Sequence, residues 1–403
     1  MNSKYEKDIL PFIKDFDTFI NFILEKDPNL SNKSQVLGKN DCFELNSQLH
    51  FQREAIKASR TQDQYIAIDL FFTLAVKSKL FLIQINSKNK FKLAKTACLE
   101  EFLNLNIYEK YVFLFEYFWA KYEFDTELRN SIIEFFELIY VISRTNVENK
   151  ILKCDVNHGR TLFSYYSKVT KTLRILGICE LEFIDNVKSK YDDSIKSIMP
   201  TVCGIEICQV LINAALDYLN TEDYYIDIIK ERWGIKDSKE EKTFFELISK
   251  VFEPKLINKT VNCNIEINKK GTYILKVSLD KNLWRIVKLS HKTTFHEFHL
   301  IIQQAFDFDN DHMYAFYNGT SYRNGKEFYC ANPLGESEEY DDDLTIEGAE
   351  IYKGQQFIYL FDFGDMWEFK IQVMDFIENE ETDLLPKIIE SKGKSPQQYP
   401  DWD

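Results

Sequence analysis

The chain has 403 residues, 45% of them hydrophobic and 28% charged, with only 13 glycines and 8 prolines. That balance excludes disordered, collagenous and mucin-like chains and predicts two or three globular domains. The formal net charge of -14 is lopsided, because residues 261–403 carry 26 acidic against 14 basic side chains and the first 260 carry 38 against 36.

This asymmetry predicts a boundary near Pro254. It also predicts that the acidic C-terminal part repels a phosphate backbone and suits a basic protein partner, whereas the N-terminal part tolerates DNA. The eight cysteines include no Cys-x-x-Cys pair, so reduced, buried thiols are expected rather than a zinc knuckle. No apolar run approaches the roughly 18 residues of a membrane span. The charged first ten residues lack the apolar stretch of a signal peptide. A cytoplasmic location without a membrane partner is expected.

In chain order, residues 1–258 read as helical. Ile9, Phe12, Ile13, Phe16, Phe19, Ile20, Ile23 and Leu24 recur at spacings of three and four and form one apolar stripe. A weak internal echo follows. An apolar helix (Tyr65 to Ser78) meets a β-like stretch (Leu80 to Ile85), a polar tip (Asn86 to Asn89), a second β-like stretch (Lys90 to Leu93) and a helix from about Thr96. The second copy passes from a helix (Ser167 to Leu176) through Gly177 to Phe183 and a charged tip (Asp185 to Asp193). It then enters Thr201 to Gly204 and another helix.

Helix, hairpin, helix is the order of a winged-helix unit, which predicts two such units at about 31–125 and 150–258. The Thr201…Gly204 pair is similar to the wing exit of such domains, and Ala94 and Ala97 stand at those places in the first copy. Six lysines (Lys77, Lys79, Lys88, Lys90, Lys92 and Lys95) occur here without an intervening acid. They are the candidate nucleic-acid contacts, although lysines on a hairpin also serve to keep its edge unpaired.

From residue 263 to 403 the pattern changes. Strands are predicted at Thr272 to Leu279 and Leu283 to Leu289. Thr294 and Glu297 form a capping box, so a helix starts there and runs to about Phe306, with Phe295, Phe298, Ile302, Ala305 and Phe306 inward. Strands follow at Met313 to Tyr317, Gln356 to Phe361 and Trp367 to Met374. The expected class is α+β: a helical N-terminal region, then a mixed, β-grasp-like C-terminal domain.

Leu283-Trp284-Arg285-Ile286, Thr294 to His299, Asp309 to His312 and Phe361 to Glu368 occur in an order and spacing that resemble the plasmid pRiA4b ORF-three-like family. That family is also met as a passenger protein of bacterial insertion elements. The resemblance covers about residues 263 to 400 and implies a fold rather than an activity. Met366 stands where the family usually has glycine. The tail Lys394 to Asp401 lacks the family's cysteine-containing segment, so no metal role for such cysteines carries over.

Four histidines (His291, His296, His299 and His312) fall within 22 residues, beside several aspartates. His299, His312, Asp362 and Asp365 are the candidate pocket or metal residues, since two imidazoles and two carboxylates could hold a divalent cation and activate water. Core histidines bonded to an aspartate explain the same residues structurally. Trp284, Arg285 and Trp367 form a second candidate cluster, with Arg285 expected to pair with Asp362 or Asp365. The acidic stretch Glu336 to Asp343 reads as a solvated loop. No cofactor is predicted. The leading expectation is a non-enzymatic nucleic-acid or protein interaction module; the alternative is a metal-dependent hydrolase or nuclease built on the His/Asp cluster.

Overall fold

The computed structural model describes residues 4–32, 34–54, 57–85, 90–122, 124, 132–145, 152–153, 167–183, 195–221, 223–236, 242–261, 270–319, 321–323, 326–331, 344–349, 351–378 and 386–399. The chain forms two compact units. The first comprises residues 1–27, 38–82 and 95–263; the second comprises residues 264–403 together with 28–37 and 83–94.

The first unit is mainly helical. Helix α1 (Glu6–Lys26) buries Ile9, Phe12, Ile13, Phe16, Phe19, Ile20 and Ile23 of the predicted stripe, whereas Leu24, near its end, is exposed. Phe12 and Phe16 pack their rings against Phe71, on α3 (Ile66–Lys77), which follows α2 (Lys39–Asn46). Asp15 is buried on α1, and its carboxylate accepts the backbone amides of His50 at 2.7 Å and Phe51 at 2.9 Å. A buried carboxylate needs such donors to offset its desolvation. After β1 (Phe81–Ile85), β2 (Phe91–Lys95) and α4 (Ala97–Leu103), α5 (Ile107–Lys121) begins at a capping box made by Asn106 and Glu109. Buried Glu109 also accepts the amides of Asn258 and Lys259, at 3.0 and 3.2 Å.

Next come α6 (Ile132–Ser143), β3 (Leu152–Lys153), α7 (Ser167–Ile175), β4 (Cys179–Phe183), β5 (Ile195–Pro200), α8 (Val202–Ala214), α9 (Asp223–Trp233) and α10 (Phe244–Ser249). Strands β3 and β4 flank β5 in a three-stranded antiparallel sheet. The described cysteines Cys42, Cys98, Cys179, Cys203, Cys208 and Cys330 are free and buried. Burial pushes the Cys179, Cys203 and Cys208 thiols well above their ordinary range, which keeps them unreactive.

The internal echo is a structural repeat with a register different from the expected one. Lys79, after α3, and Gly177, after α7, both take left-handed backbone, with φ of 59° and 74°. The Thr96 amide then donates to Leu80 O at 3.2 Å and the Thr201 amide to Ile178 O at 3.0 Å. The two threonine hydroxyls donate to Lys79 O and Gly177 O, both at 2.7 Å. The counterpart of Thr201 is therefore Thr96 and not Ala94, and Leu99 stands opposite Gly204. A helix-to-strand seam is defined by this hydroxyl-to-carbonyl bond, which the glycine spacing alone does not reveal. The two polar tips, 86–89 and 185–193, lie outside the described residues.

In the second unit, β6 (Gly271–Ser278) and β7 (Trp284–Ser290) pair through a turn in which Asp280 Oδ1 accepts the amides of Asn282 and Leu283. Helix α11 (Phe295–Phe306) starts at the predicted capping box: Thr294 Oγ1 accepts the Glu297 amide at 3.0 Å and Glu297 Oε2 accepts the Thr294 amide at 2.9 Å. Strands β8 (Tyr314–Asn318), β9 (Lys326–Ala331), β10 (Gln356–Phe361), β11 (Trp367–Glu378) and β12 (Lys387–Lys392) complete a seven-stranded sheet of order β12-β7-β6-β11-β10-β8-β9. The α+β class holds. Every described pairing is antiparallel, so β6 lies between two antiparallel partners, where a β-grasp sheet pairs its first strand with a parallel one.

Alternation along the strands places Leu275, Val277, Val287, Leu289, Phe357, Tyr359, Phe369 and Ile371 with Phe295, Phe298, Ile302 and Phe306 of α11 in one core. Residues 28–37 and 83–94 belong to this unit. Leu30 donates its amide to Phe91 O at 2.8 Å, and the Tyr352 hydroxyl donates to Ile83 O at 3.2 Å.

The repeat makes a stability prediction. A Cβ at Gly204 would lie 2.0 Å from Ile178 O, and one at Gly177 would lie 2.3 Å from Asp8 O on a backbone that L residues rarely adopt. Gly204→Ala and Gly177→Ala should each lower the midpoint of thermal unfolding through clashes costing about 1–3 kcal/mol or more. Lys79→Gly, at the same conformation, should be neutral or stabilising. Differential scanning calorimetry of the three variants checks this.

Candidate functional site

His299 is fully buried on the inward side of α11, and both ring nitrogens are occupied. Its Nδ1 lies 2.7 Å from the Tyr359 hydroxyl and its Nε2 lies 2.7 Å from Asn310 Oδ1. Gln303 Nε2 donates to the same tyrosine oxygen at 2.7 Å. The directions close in one way: Gln303 donates to Tyr359, Tyr359 donates to Nδ1, and the Nε2 proton goes to Asn310. The imidazole is thus neutral. It stacks on Tyr314 with ring centroids 3.6 Å apart, and the Tyr314 hydroxyl lies 2.8 Å from His296 Nδ1. Burial lowers the His299 pKa to about 3, and the hydrogen bond to Asn310 opposes that shift without overcoming it.

His312 sits beyond the end of this network, its side chain 40% exposed. Its Nε2 lies 3.5 Å from Asp362 Oδ2 and 3.8 Å from Asp311 Oδ1. Asp362 occupies a left-handed turn position, and its other oxygen accepts the amides of Gly364 at 2.8 Å and Asp365 at 3.3 Å. Met366, also left-handed, donates its amide to Asp362 O at 2.7 Å, so the turn closes without the glycine the family usually has. Asp311 accepts from Gln398 Nε2 at 3.1 Å and from the Tyr399 hydroxyl.

The structure therefore brings His312 and Asp362 together. His299 faces the core across Phe361, and Asp365 is exposed with its amide turned to Asp362. Among the described residues no three His, Cys, Asp or Glu side chains converge as a metal site would require.

Arg285 does not pair with Asp362 or Asp365. Its buried guanidinium donates from Nε to Ala305 O at 2.7 Å, from Nη1 to Trp284 O and Lys392 O at 2.9 Å each, and from Nη2 to Ser395 Oγ at 3.0 Å. It also lies over the Phe306 ring, 4.7 Å from the centroid. Burial lowers its pKa, but a guanidinium keeps its proton there. Trp284 and Trp367 are not neighbours, because β6 separates β7 from β11. Trp367 packs edge-on against Phe308 on the helix side, whereas Trp284 points to the other face, under Lys276 Nζ at 4.6 Å.

The candidate nucleic-acid lysines fall in both units. Lys95 pairs with Glu100 at 3.8 Å, and Lys77, Lys79, Lys90 and Lys92 each interact with other groups. Lys79 is the left-handed residue of the repeat. Lys90 and Lys92 belong to the second unit, whereas Lys77, Lys79 and Lys95 belong to the first. Lys88 and the acidic stretch 336–343 lie outside the described residues. Sequence reasoning missed Asn310, Gln303 and Tyr359 as the partners of His299. Gln303 had a signal, since it stands one helical turn beyond His299 on the same face.

The family model described as "Plasmid pRiA4b ORF-3-like protein" matches residues 271–399, so the C-terminal domain is of this type. The chain is also similar to a crystal structure of a protein of unknown function from Methanosarcina mazei Go1. Identity is 20%, the TM-score is 0.27, and the match covers 32% of this chain and 72% of that one. No curated protein matches the chain.

Two predictions follow from this geometry. The first concerns pH. Unfolded His299 takes up a proton near its ordinary value of 6.5, whereas the folded ring does so only at about 3. Its contribution to stability is complete above pH 6.5 and is lost on acidification towards pH 3, by about 1.4 kcal/mol per pH unit. NMR of the ring should show it neutral down to about pH 4, and His299→Gln should flatten the acid slope by one proton. The second concerns Arg285→Lys. A single ammonium cannot reach Ala305, Lys392 and Ser395 together, so urea unfolding should show a loss of about 1–3 kcal/mol although the charge is retained.

Proposed function

We propose that the protein is a non-enzymatic interaction module, with the acidic C-terminal domain engaging a basic protein and the helical region contributing a second protein contact. The observation that carries this reading is the complete internal use of His299 and Arg285, the polar groups best suited to chemistry. A neutral imidazole with both nitrogens bonded is a poor base and a poor ligand. The surplus of 26 acidic over 14 basic residues in positions 261–403 supports a cationic partner, since complementary charge speeds encounter and selects partners. Protein is favoured over DNA for the helical region because Lys77, Lys79 and Lys95 have partners of their own. Its repeated helix–strand–strand–helix units suit either winged-helix use. The plasmid named in the family description supports association with mobile DNA.

The full chain, immobilised at about 50 mM salt, should retain basic proteins, release them at about 0.5 M, and not retain duplex DNA. Retention of duplex DNA that Lys77→Glu with Lys95→Glu weakens would transfer the assignment to nucleic acid. Hydrolysis of nucleic acid that His312→Ala abolishes would replace it with catalysis.

A further inference from the structure

The face of the seven-stranded sheet opposite α11 carries a cleft of about 590 Å³, whose lining includes Lys276, Asp280, Lys281, Lys370, Gln372 and Phe91. All of these residues belong to the second unit. We propose that this cleft binds the phosphate group of a small phosphorylated molecule.

Strand register sets the geometry. Lys276 stands opposite Gln372, Gln372 opposite Gln356, and Ser278 opposite Lys370. Lys276 and Lys370 are therefore diagonal neighbours on adjacent antiparallel strands, about 7–8 Å apart at their bases. Two flexible four-carbon stems starting that far apart can bring their ammonium groups to one anion. Lys281, in the β6–β7 turn, adds a third charge at the rim.

The charge balance is unusual for so acidic a chain. None of the three lysines has a carboxylate partner among the described residues, although Lys353 pairs with Asp375 at 2.6 Å in the same unit. Lys276 instead rests on the Trp284 ring. The acid in the lining, Asp280, directs Oδ1 to the amides of Asn282 and Leu283, so it serves the turn. Lys276 is half-buried and Lys281 and Lys370 are exposed, and ammonium groups without a carboxylate partner around a concave site favour a compact anion. Lysine, as a rotatable point charge, suits phosphate.

Gln356, Gln372 and Ser278 supply neutral donors and acceptors for hydroxyl or amide groups on the rest of the ligand, and buried Phe91 supplies an apolar wall. The cleft volume lies within the roughly 300–1,000 Å³ of small-molecule sites. The surrounding acidic domain disfavours a long polyanion, whose other phosphates would meet net negative charge.

Isothermal titration of the full chain at low salt with inorganic phosphate and with adenosine 5′-monophosphate tests this. The expected result is saturable binding of both probes, the nucleotide tighter, at one per chain. Lys276→Gln and Lys370→Gln should each weaken it about tenfold. Lys370→Arg should retain it, which separates loss of charge from loss of fold, and Lys353→Gln should leave it unchanged. The assignment fails if neither probe saturates, or if a folded Lys276→Gln/Lys370→Gln chain binds as well as the parent. Duplex DNA displacing the nucleotide through the same two lysines would also overturn it.

Discussion

The C-terminal domain is closed around a buried cation, Arg285. Arg285 sits where β7, the last turn of α11 and the exit of β12 meet, and its donors reach carbonyl oxygens of all three. The Ala305 carbonyl belongs to the end of a helix, where unsatisfied carbonyls concentrate partial negative charge. A guanidinium placed there answers that charge without a carboxylate, and the Phe306 ring below adds a cation–π contact. Its planar fork matters as much as its charge, because the acceptors lie in different directions. Beyond Lys392 the chain turns at Gly393, where φ is 83° and a Cβ would lie 2.5 Å from Asn282 O. The tail can follow this course only because that position has no side chain. Ser395 then completes the arginine's shell.

From this anchored end of the helix, the inward face of α11 presents His299 and Gln303 to the middle of the sheet. A polar pair in an aromatic core is costly unless its donors and acceptors find partners. Tyr359 accepts from Gln303 and donates to the imidazole, and Asn310 takes the remaining ring proton, whereas the Gln303 side-chain oxygen has no partner among the described residues. This chain of bonds fixes the tautomer of the ring and the rotation of α11 against β10. The same residues that suggest chemistry in the sequence therefore specify packing. In the pair His312–Asp362 the half-exposed histidine precedes β8 and the buried aspartate lies in the turn that follows β10, committed to backbone amides through its other oxygen.

The regular elements of the C-terminal domain were legible in the sequence because most have a one-sided burial pattern and one is a continuous apolar run. Strands β6, β7 and β11 alternate over much of their length, β10 is the short apolar run, and the Thr294–Glu297 box marks the start of α11. Strand β12 was not legible: Lys387–Lys392 is largely exposed at the sheet edge, so it carries no alternation to detect. Arg285 was legible as important but misassigned, since sequence order does not reveal that its neighbour is a helix end rather than an aspartate. The repeat was visible as an order of elements. Its register was not, because Thr96 and Thr201 are aligned by bonds to carbonyls sixteen or more residues earlier. The cleft lysines went unnoticed because Lys276 and Lys370 become neighbours only through the pairing of β6 with β11.

Net charge and local charge answer different questions in this molecule. The C-terminal surplus of acid acts over distances comparable to the Debye length, about 8 Å at physiological salt, and governs which macromolecules approach. The potential inside a cleft depends instead on the few groups that line it and on how far water screens them. Among the described residues Lys276, Lys281 and Lys370 have no carboxylate partner, so three lysines outnumber one acid, Asp280, in the lining of that cleft. A surface of this kind selects by size. A compact anion can enter and leave its few charges among the lysines, whereas an extended polyanion would have to lay most of its length across acidic surface. The two proposals, a basic protein on the acidic surface and a small anion in the cleft, therefore compete only where a partner covers the cleft.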